Sequence, residues 1–358
     1  MMRVTKKEAK EHILEIHKNS LKFDYLLNSP CLNNAEWTRK GQREIRKLLD
    51  WLVDIGVDSV TVSVPYLLQL IKRCYPDFEV NISIGAGVAN TARAKYWEDL
   101  GANRITLVTD LNRNFTFLKN IRENIKCHLQ LIANLPCLFG CPFSHYHIVS
   151  LGHASQARHA SKGFLIDYCS LNCKYLKLSE PWRMISSTWI RPEDLHYYDE
   201  IGIDTIKLAD RGLKTEFILP IVEAYTAQEY KGNLFDLFPD AHKYLYFSKR
   251  YSWQRIKYFL HPMKYNMFLF YRHVNKMDFK DPTYLDNEKL DGFIKFFMEG
   301  KCKLGNCEKC GYCRSIAEKV LNIPTEYKDK MLNLSSSLLK DIINGSLFYC
   351  NKKGGGAP

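Results

Sequence analysis

The chain has 358 residues, with 51 Lys and Arg against 39 Asp and Glu for a formal charge of +12, and 46% of its residues are hydrophobic. That is a globular balance, which excludes wholesale disorder and suits one large α/β-barrel-sized domain or several smaller ones. No apolar run approaches the roughly 18 residues of a membrane span, and the opening MMRVTKKEAKEHILEIHKNS is too charged for a signal peptide, so a cytoplasmic location is expected.

Predicted elements alternate along the chain. A strand over 23–27 precedes a helix over 36–54, which closes at Gly56 and leads into the strand of WLVDIGVDSVTVSVP. A helix over 66–74 and a strand over 80–84 follow. The helix over 91–100 then closes at Gly101, before the strand of YWEDLGANRITLVTD. A helix over 115–125 leads to strands over 128–133 and 183–188. A helix over 192–201 closes at Gly202, before the strand of YYDEIGIDTIKLADR, and a helix over 214–225 comes last. In the three quoted segments a glycine ends each helix, where a left-handed residue satisfies the last carbonyls, and a β-branched, mostly apolar strand follows. Self-similarity at multiples of one βα unit predicts repeated units, and near-continuous apolar strands predict burial on both faces. The expected fold is a TIM-type (βα) barrel, complete or distorted, with an open doubly wound sheet as the alternative. In both, function sits at the carboxyl ends of the strands.

The repeat fades after residue 232. The expected division is a barrel over 1–235, a C-terminal extension over 236–350 and a flexible end, NKKGGGAP, over 351–358. Residues 241–280 interleave aromatic and basic side chains, a mixture that can stack bases and neutralise phosphates or simply cover a barrel. The charge of +12 favours anionic partners, RNA among them, and equally fits a Lys-rich surface.

Twelve cysteines are too few for a disulfide scaffold, and clustered cysteines in a reducing compartment bind metal or do redox chemistry. Cys137 and Cys141 follow the strand over 128–133, and Cys169 and Cys173 form a second Cys-x3-Cys pair. Four thiolates suit a 4Fe–4S cluster or tetrahedral zinc, and the three-residue spacing favours iron–sulfur. A radical-SAM motif requires a further cysteine where Ser144 stands. His145, His147, His153 and His159 lie close by in sequence and offer acid/base or substrate contacts. Cys302, Cys307, Cys310 and Cys313 form a second group, whose Cys-x4-Cys-x2-Cys portion matches ferredoxin spacing; zinc competes with a second cluster there. Cys31, Cys74, Cys127 and Cys350 are isolated and read as small buried hydrophobes. Asp210 and Arg211 close the strand IKLAD and are expected at the barrel mouth. Arg191 can clamp a carboxylate or phosphate bidentately. The structural alternative is an ion pair such as Arg211 with Glu216.

The run CLFGCPFSHYHIVSLGHAS, then YCSLNC, then ISSTWIRPEDLHYYDEIGIDTIKLADRGLKTE resembles the collagenase-like peptidase family U32, most specifically from Leu135 to Glu216. The resemblance implies a barrel-like domain whose 4Fe–4S cluster falls on Cys137, Cys141, Cys169 and Cys173. It also implies oxygen-independent hydroxylation, of RNA bases or of ubiquinone precursors, with prephenate as oxygen donor in RNA-acting members. An electron-donor protein is the partner such chemistry requires. The group Cys302–Cys313 lies outside the family's general pattern and indicates an added electron-transfer or structural site. No Gly-x-Ser-x-Gly or His-Glu-x-x-His motif occurs, so the peptidase label has no residue support. The leading expectation is a cluster-dependent hydroxylase of an RNA base, peptide or small molecule. An RNA-binding protein with structural metals and a peptidase are the alternatives.

Overall fold

A computed structural model describes residues 5–156, 159, 165–209, 213–239, 265–277, 281–303 and 305–348. The chain divides into two compact units: Met1–Leu131 with Pro142–Leu165 and Tyr197–Lys207, and Ile132–Cys141 with Ile166–His196 and Leu208–Pro358.

The first unit is the βα repeat. Helix α1 (Lys6–Lys18) starts at a capping box in which Thr5 and Glu8 exchange side-chain and backbone hydrogen bonds. Then come β1 (Asp24–Leu27), α2 (Arg39–Asp54), β2 (Ser59–Val62), α3 (Pro65–Cys74), β3 (Glu79–Ile82), α4 (Thr91–Asp99), β4 (Arg104–Thr106), α5 (Phe115–Asn124) and β5 (His128–Ile132). Gly56, Gly101 and Gly202 have φ of 80°, 98° and 79°, the left-handed helix ends that the repeat predicts. Six strands join in the order β1-β2-β3-β4-β5-β6, with β6 at Thr205–Lys207. The four pairings from β1 to β5 are parallel. Strictly sequential order is that of a barrel wall, not of a doubly wound sheet, whose order reverses at a switch point. Among the described residues the wall is a half-barrel of six strands, and a closed TIM barrel is not reached.

The strands are buried on both faces as expected, but only one face is apolar. Val60, Val62, Val80, Ile82, Ile105, Leu129 and Leu131 form one apolar face of the sheet, and Leu52, Leu68, Ile71, Leu118 and Ile121 supply apolar helix faces to the same core. The alternate positions Ser59, Thr61, Asn81, Thr106 and Gln130 are buried too, and they are polar. Most of their hydrogen bonds run within the row and to Asp24. Asp24 accepts from Ser59 Oγ at 2.8 Å, Thr61 Oγ1 at 2.6 Å and Asn81 Nδ2 at 3.1 Å, while Thr106 Oγ1 donates to Gln130 Oε1 at 3.0 Å. Asp24→Ala strips the Ser59 and Thr61 hydroxyls of their acceptor, leaves Asn81 Nδ2 only Ser59 Oγ at 3.2 Å, and is expected to cost about 2–4 kcal/mol. A urea midpoint equal to that of the parent protein would show that the network carries no stability.

In the second unit, residues 133–137 continue from β5 and are bound by 188–190: Ile190 N–H donates to Ala133 O at 2.8 Å and Thr188 N–H to Cys137 O at 3.0 Å. The strand expected over 183–188 is therefore corrected. Trp182–Ile185 is a helical turn, α8, and the strand-like pairing starts only at Thr188. Helix α7 (Tyr168–Ser179) contributes Leu178 to a core with Met184, Tyr327 and Met331. The helix expected over 192–201 splits into a single 3-10 turn at Pro192–Asp194 and α9 (Leu195–Glu200). Beyond it lies α10 (Thr215–Ala227).

Candidate active site

Cysteine placement follows from how the loop after β5 is held. Besides the backbone bonds above, Thr188 Oγ1 donates to Leu135 O at 2.9 Å and Lys177 Nζ donates to Pro136 O. Asn134, fully buried, accepts from Ala209 N–H at 2.7 Å and donates from Nδ2 to Leu237 O at 3.2 Å. It thereby fixes the segment entering Asp210. The loop is thus pinned by main-chain and amide contacts, and it leaves Cys137 exposed and Cys141 half-buried. Asp167 caps α7 by accepting from Ser170 N–H at 2.9 Å. One turn apart on α7 stand Cys169, buried, and Cys173, half-buried, so both project from one side of the helix. Burial first, then Asp167, Cys141 and Cys173, push the Cys169 thiol up to about 11. Cys141, Cys169 and Cys173 are therefore electrostatic neighbours within one unit. No cysteine among the described residues forms a disulfide.

A soft, thiophilic centre is what this donor set suits: Cys169 within electrostatic reach of Cys141 and of Cys173, with Cys137 on the same loop as Cys141. Among the described residues no three His, Cys, Asp or Glu side chains are drawn up at metal-ligand distance. The ligand types and their common unit fit such a group.

The histidines belong to the other unit. Helix α6 (Ser144–Ser155) belongs to the first unit and carries His145, His147 and His153. His153 stacks on His159 with ring centroids 4.3 Å apart. A Cβ on Gly152 would stand 2.7 Å from Ser29 Oγ, and one on Gly85 would stand 3.4 Å from Ile148, so α6 lies against the segments leaving β1 and β3. His145 opens onto a cleft of about 340 Å³ at those strand ends, walled by Ser63, Gly85, Arg93, Tyr96 and Trp97. Sequence reading missed Arg93, Asn134, Thr188 and Lys177. Asn134 alone had a signal, as the first polar residue after the apolar run LQLIA.

Arg191 corrects the expectation of a substrate clamp. It is 2% exposed, its Nε donates to Asn287 Oδ1 at 2.9 Å, and its Nη2 donates to Asp291 Oδ1 at 2.8 Å. Glu193 approaches its Nε at 3.3 Å. The carboxylate it clamps belongs to the protein. Asp210 and Arg211 lie outside the described residues, as do 240–264 and 278–280 of the aromatic-basic segment, Cys350 and the end over 351–358. Glu216 pairs with Lys214 at 3.0 Å. Cys302, Cys307, Cys310 and Cys313 lie in the second unit.

Half-barrel wall, pinned cysteine loop and paired helical cysteines define an α/β protein with a thiol-rich segment that follows β5 in the chain. The sequence model of peptidase family U32 matches residues 4–228, and the chain belongs to that family. It is 30% identical over 306 residues to the uncharacterized protease MJ1657 of Methanocaldococcus jannaschii, covering 86% of this chain and 79% of that protein. Shorter matches join it to tRNA hydroxylation protein P of Escherichia coli, 30% identical over 61 residues, and of Haemophilus influenzae, 29% identical over 66. They cover 17% and 18% of this chain and 14% of each of those proteins. Among solved structures, the U32 peptidase Mk0906 aligns with a TM-score of 0.45 and 23% identity, over 58% of this chain and 77% of that one. No helix among the described residues is long and apolar enough to cross a membrane.

Proposed function

We propose that the chain is an iron–sulfur-dependent enzyme that hydroxylates an RNA base without molecular oxygen. The observation that carries this reading is the thiol set: Cys169 within electrostatic reach of Cys141 and of Cys173, with Cys137 on the pinned loop after β5. Local similarity to a tRNA hydroxylation protein supports the reaction class. The charge of +12 supports an anionic polymer as substrate. The peptidase reading finds neither a nucleophile elbow nor a zinc-protease motif in the sequence.

When bound, a 4Fe–4S cluster would supply a redox-active iron centre. Cys137, Cys141, Cys169 and Cys173 would hold it. Thr188, Lys177 and Asn134 hold the loop on which Cys137 and Cys141 stand, so two thiols are positioned before any ligand arrives. The oxygen donor is a small anion of the prephenate kind, and a reductase is the electron-donor partner.

The reading is tested by incubating anaerobically reconstituted protein with unmodified tRNA, prephenate and a chemical reductant, then digesting the RNA. A nucleoside heavier by one oxygen atom is expected. Binding of the same tRNA should weaken by at least about tenfold between roughly 50 and 200 mM salt, as phosphate contacts release counterions. No modified nucleoside, together with cleavage of a mixed peptide library, would return the protein to the peptidase reading.

A further inference from the structure

Four cysteines in the second unit take no part in that site. Cys307–Cys310 is a single helical turn, and Gly311, at φ +65°, turns the chain into the helix Tyr312–Val320, whose first turn carries Cys313. Cys307 and Cys310 stand three residues apart on one side of their turn. Cys302, Cys310 and the Arg183 guanidinium all lie within electrostatic reach of Cys307. Arg183 stacks on the Trp182 ring at 4.9 Å, and Arg314, next to Cys313, stacks on the same ring at 5.7 Å. The Trp182 Nε1–H is shut off from solvent and has no acceptor among the described residues. A buried donor without a partner costs about 1–3 kcal/mol, which is a reason to look for the acceptor it serves.

We propose that Cys302, Cys307, Cys310 and Cys313 hold a second, electron-transferring 4Fe–4S cluster, with Trp182, Arg183 and Arg314 as its surroundings. The spacing favours iron–sulfur over zinc, because Cys307-x2-Cys310-x2-Cys313 is the run that supplies three ligands to ferredoxin-type clusters, and Cys302 supplies the fourth. Four thiolates on an oxidised core leave a net dianion, and two guanidinium groups beside it offset that charge. The sulfurs of such a cluster accept N–H hydrogen bonds, which Trp182 has to give, and such bonds raise the potential. Cys310 is exposed, so the cluster lies within reach of an external donor. The step is the gain of one electron from a low-potential reductant and its later loss, with no bond made or broken. The inference stands whether or not the Cys137–Cys173 set binds a cluster.

The experiment uses the full chain, purified anaerobically, with iron, acid-labile sulfide and zinc counted per chain, and with spectra by electron paramagnetic resonance after dithionite reduction. Cys307→Ser/Cys310→Ser should lose the iron and the reduced-state signal of one cluster, while Cys169→Ser/Cys173→Ser should keep both. Trp182→Phe keeps the ring for both arginines and removes the donor; it should retain the iron and shift the midpoint potential downward. Stoichiometric zinc in place of iron in the parent protein overturns the proposal, and so does full iron retention in Cys307→Ser/Cys310→Ser. If that double variant does not fold, the parent metal count and the Trp182→Phe potential decide: zinc or an unshifted potential rejects it.

Discussion

Cys173→Ala is expected to abolish RNA hydroxylation while leaving the protein folded. Losing one of four thiolates releases the iron of that site, because a thiolate centre is held only when its ligands converge. Turnover should fall by ~100-fold or more, beyond the ~10–100-fold that losing an outer-shell partner costs. Helix α7 does not depend on this side chain. Asp167 caps its start, Leu178 anchors its far end in the core, and Lys174 pairs with Asp281 at 3.4 Å. Far-UV circular dichroism and the protease pattern should therefore match those of the parent. Full iron at this site with full turnover in Cys173→Ala would remove Cys173 from the ligand set.

The largest effect on stability is expected at Arg191. Its guanidinium is buried, while its partner Asp291 is 81% exposed and can return to water when the pair is broken. Asn287 cannot. It is fully buried, and besides accepting from Arg191 it donates to Glu193 Oε1 at 2.8 Å and Tyr230 O at 2.6 Å. Arg191→Ala leaves a cavity and an orphaned Asn287 oxygen, so about 2–4 kcal/mol is expected, less than the ~3–5 kcal/mol of a fully buried pair. Arg191→Lys should recover only part of this, since an ammonium cannot reach two acceptors in a fork. Should Arg191→Ala instead keep its unfolding midpoint and lose tRNA or prephenate binding, the residue would be a ligand clamp after all.

What the sequence made legible was local. Helix C-termini at Gly56, Gly101 and Gly202 announce themselves, because few residues other than glycine accept that backbone. Strand interiors were read by hydrophobicity alone, and the buried polar row through Asp24, Thr61 and Asn81 hid in that reading. A threonine or serine between valines looks like ordinary strand composition, and only the register shows that these side chains meet. The segment 183–188 misled for a different reason. Its apolar residues Met184 and Ile185 are buried, as in a strand, but they bury from a helical turn. Arg191 beside Pro-Glu-Asp looked like a ligand clamp because its partners, Asn287 and Asp291, lie about a hundred residues on. Such pairing has no local trace. The cysteines were legible as groups through spacing. Their fixed environment was not, because Asn134, Thr188 and Lys177 act through backbone carbonyls and amides.

The order in which the strands leave the ribosome matches the order in which they pair. Each of β2 to β5 finds its neighbour one βα unit back, so contacts close over short loops and the wall can grow as it is made. The last strand breaks this rhythm. Synthesis passes through 132–141 and 166–196, both belonging to the other unit, before Asp204 appears to take Leu129 O at 3.2 Å with its own amide and Arg122 at 2.7 Å with its carboxylate. For that interval β5 is a waiting edge, with Leu129 N–H lacking the Asp204 oxygen it later bonds at 2.8 Å. A nascent chain stalled between 142 and 204 would be the form most exposed to edge-to-edge pairing with a neighbouring polysome, and release past residue 207 is the event that ends the hazard.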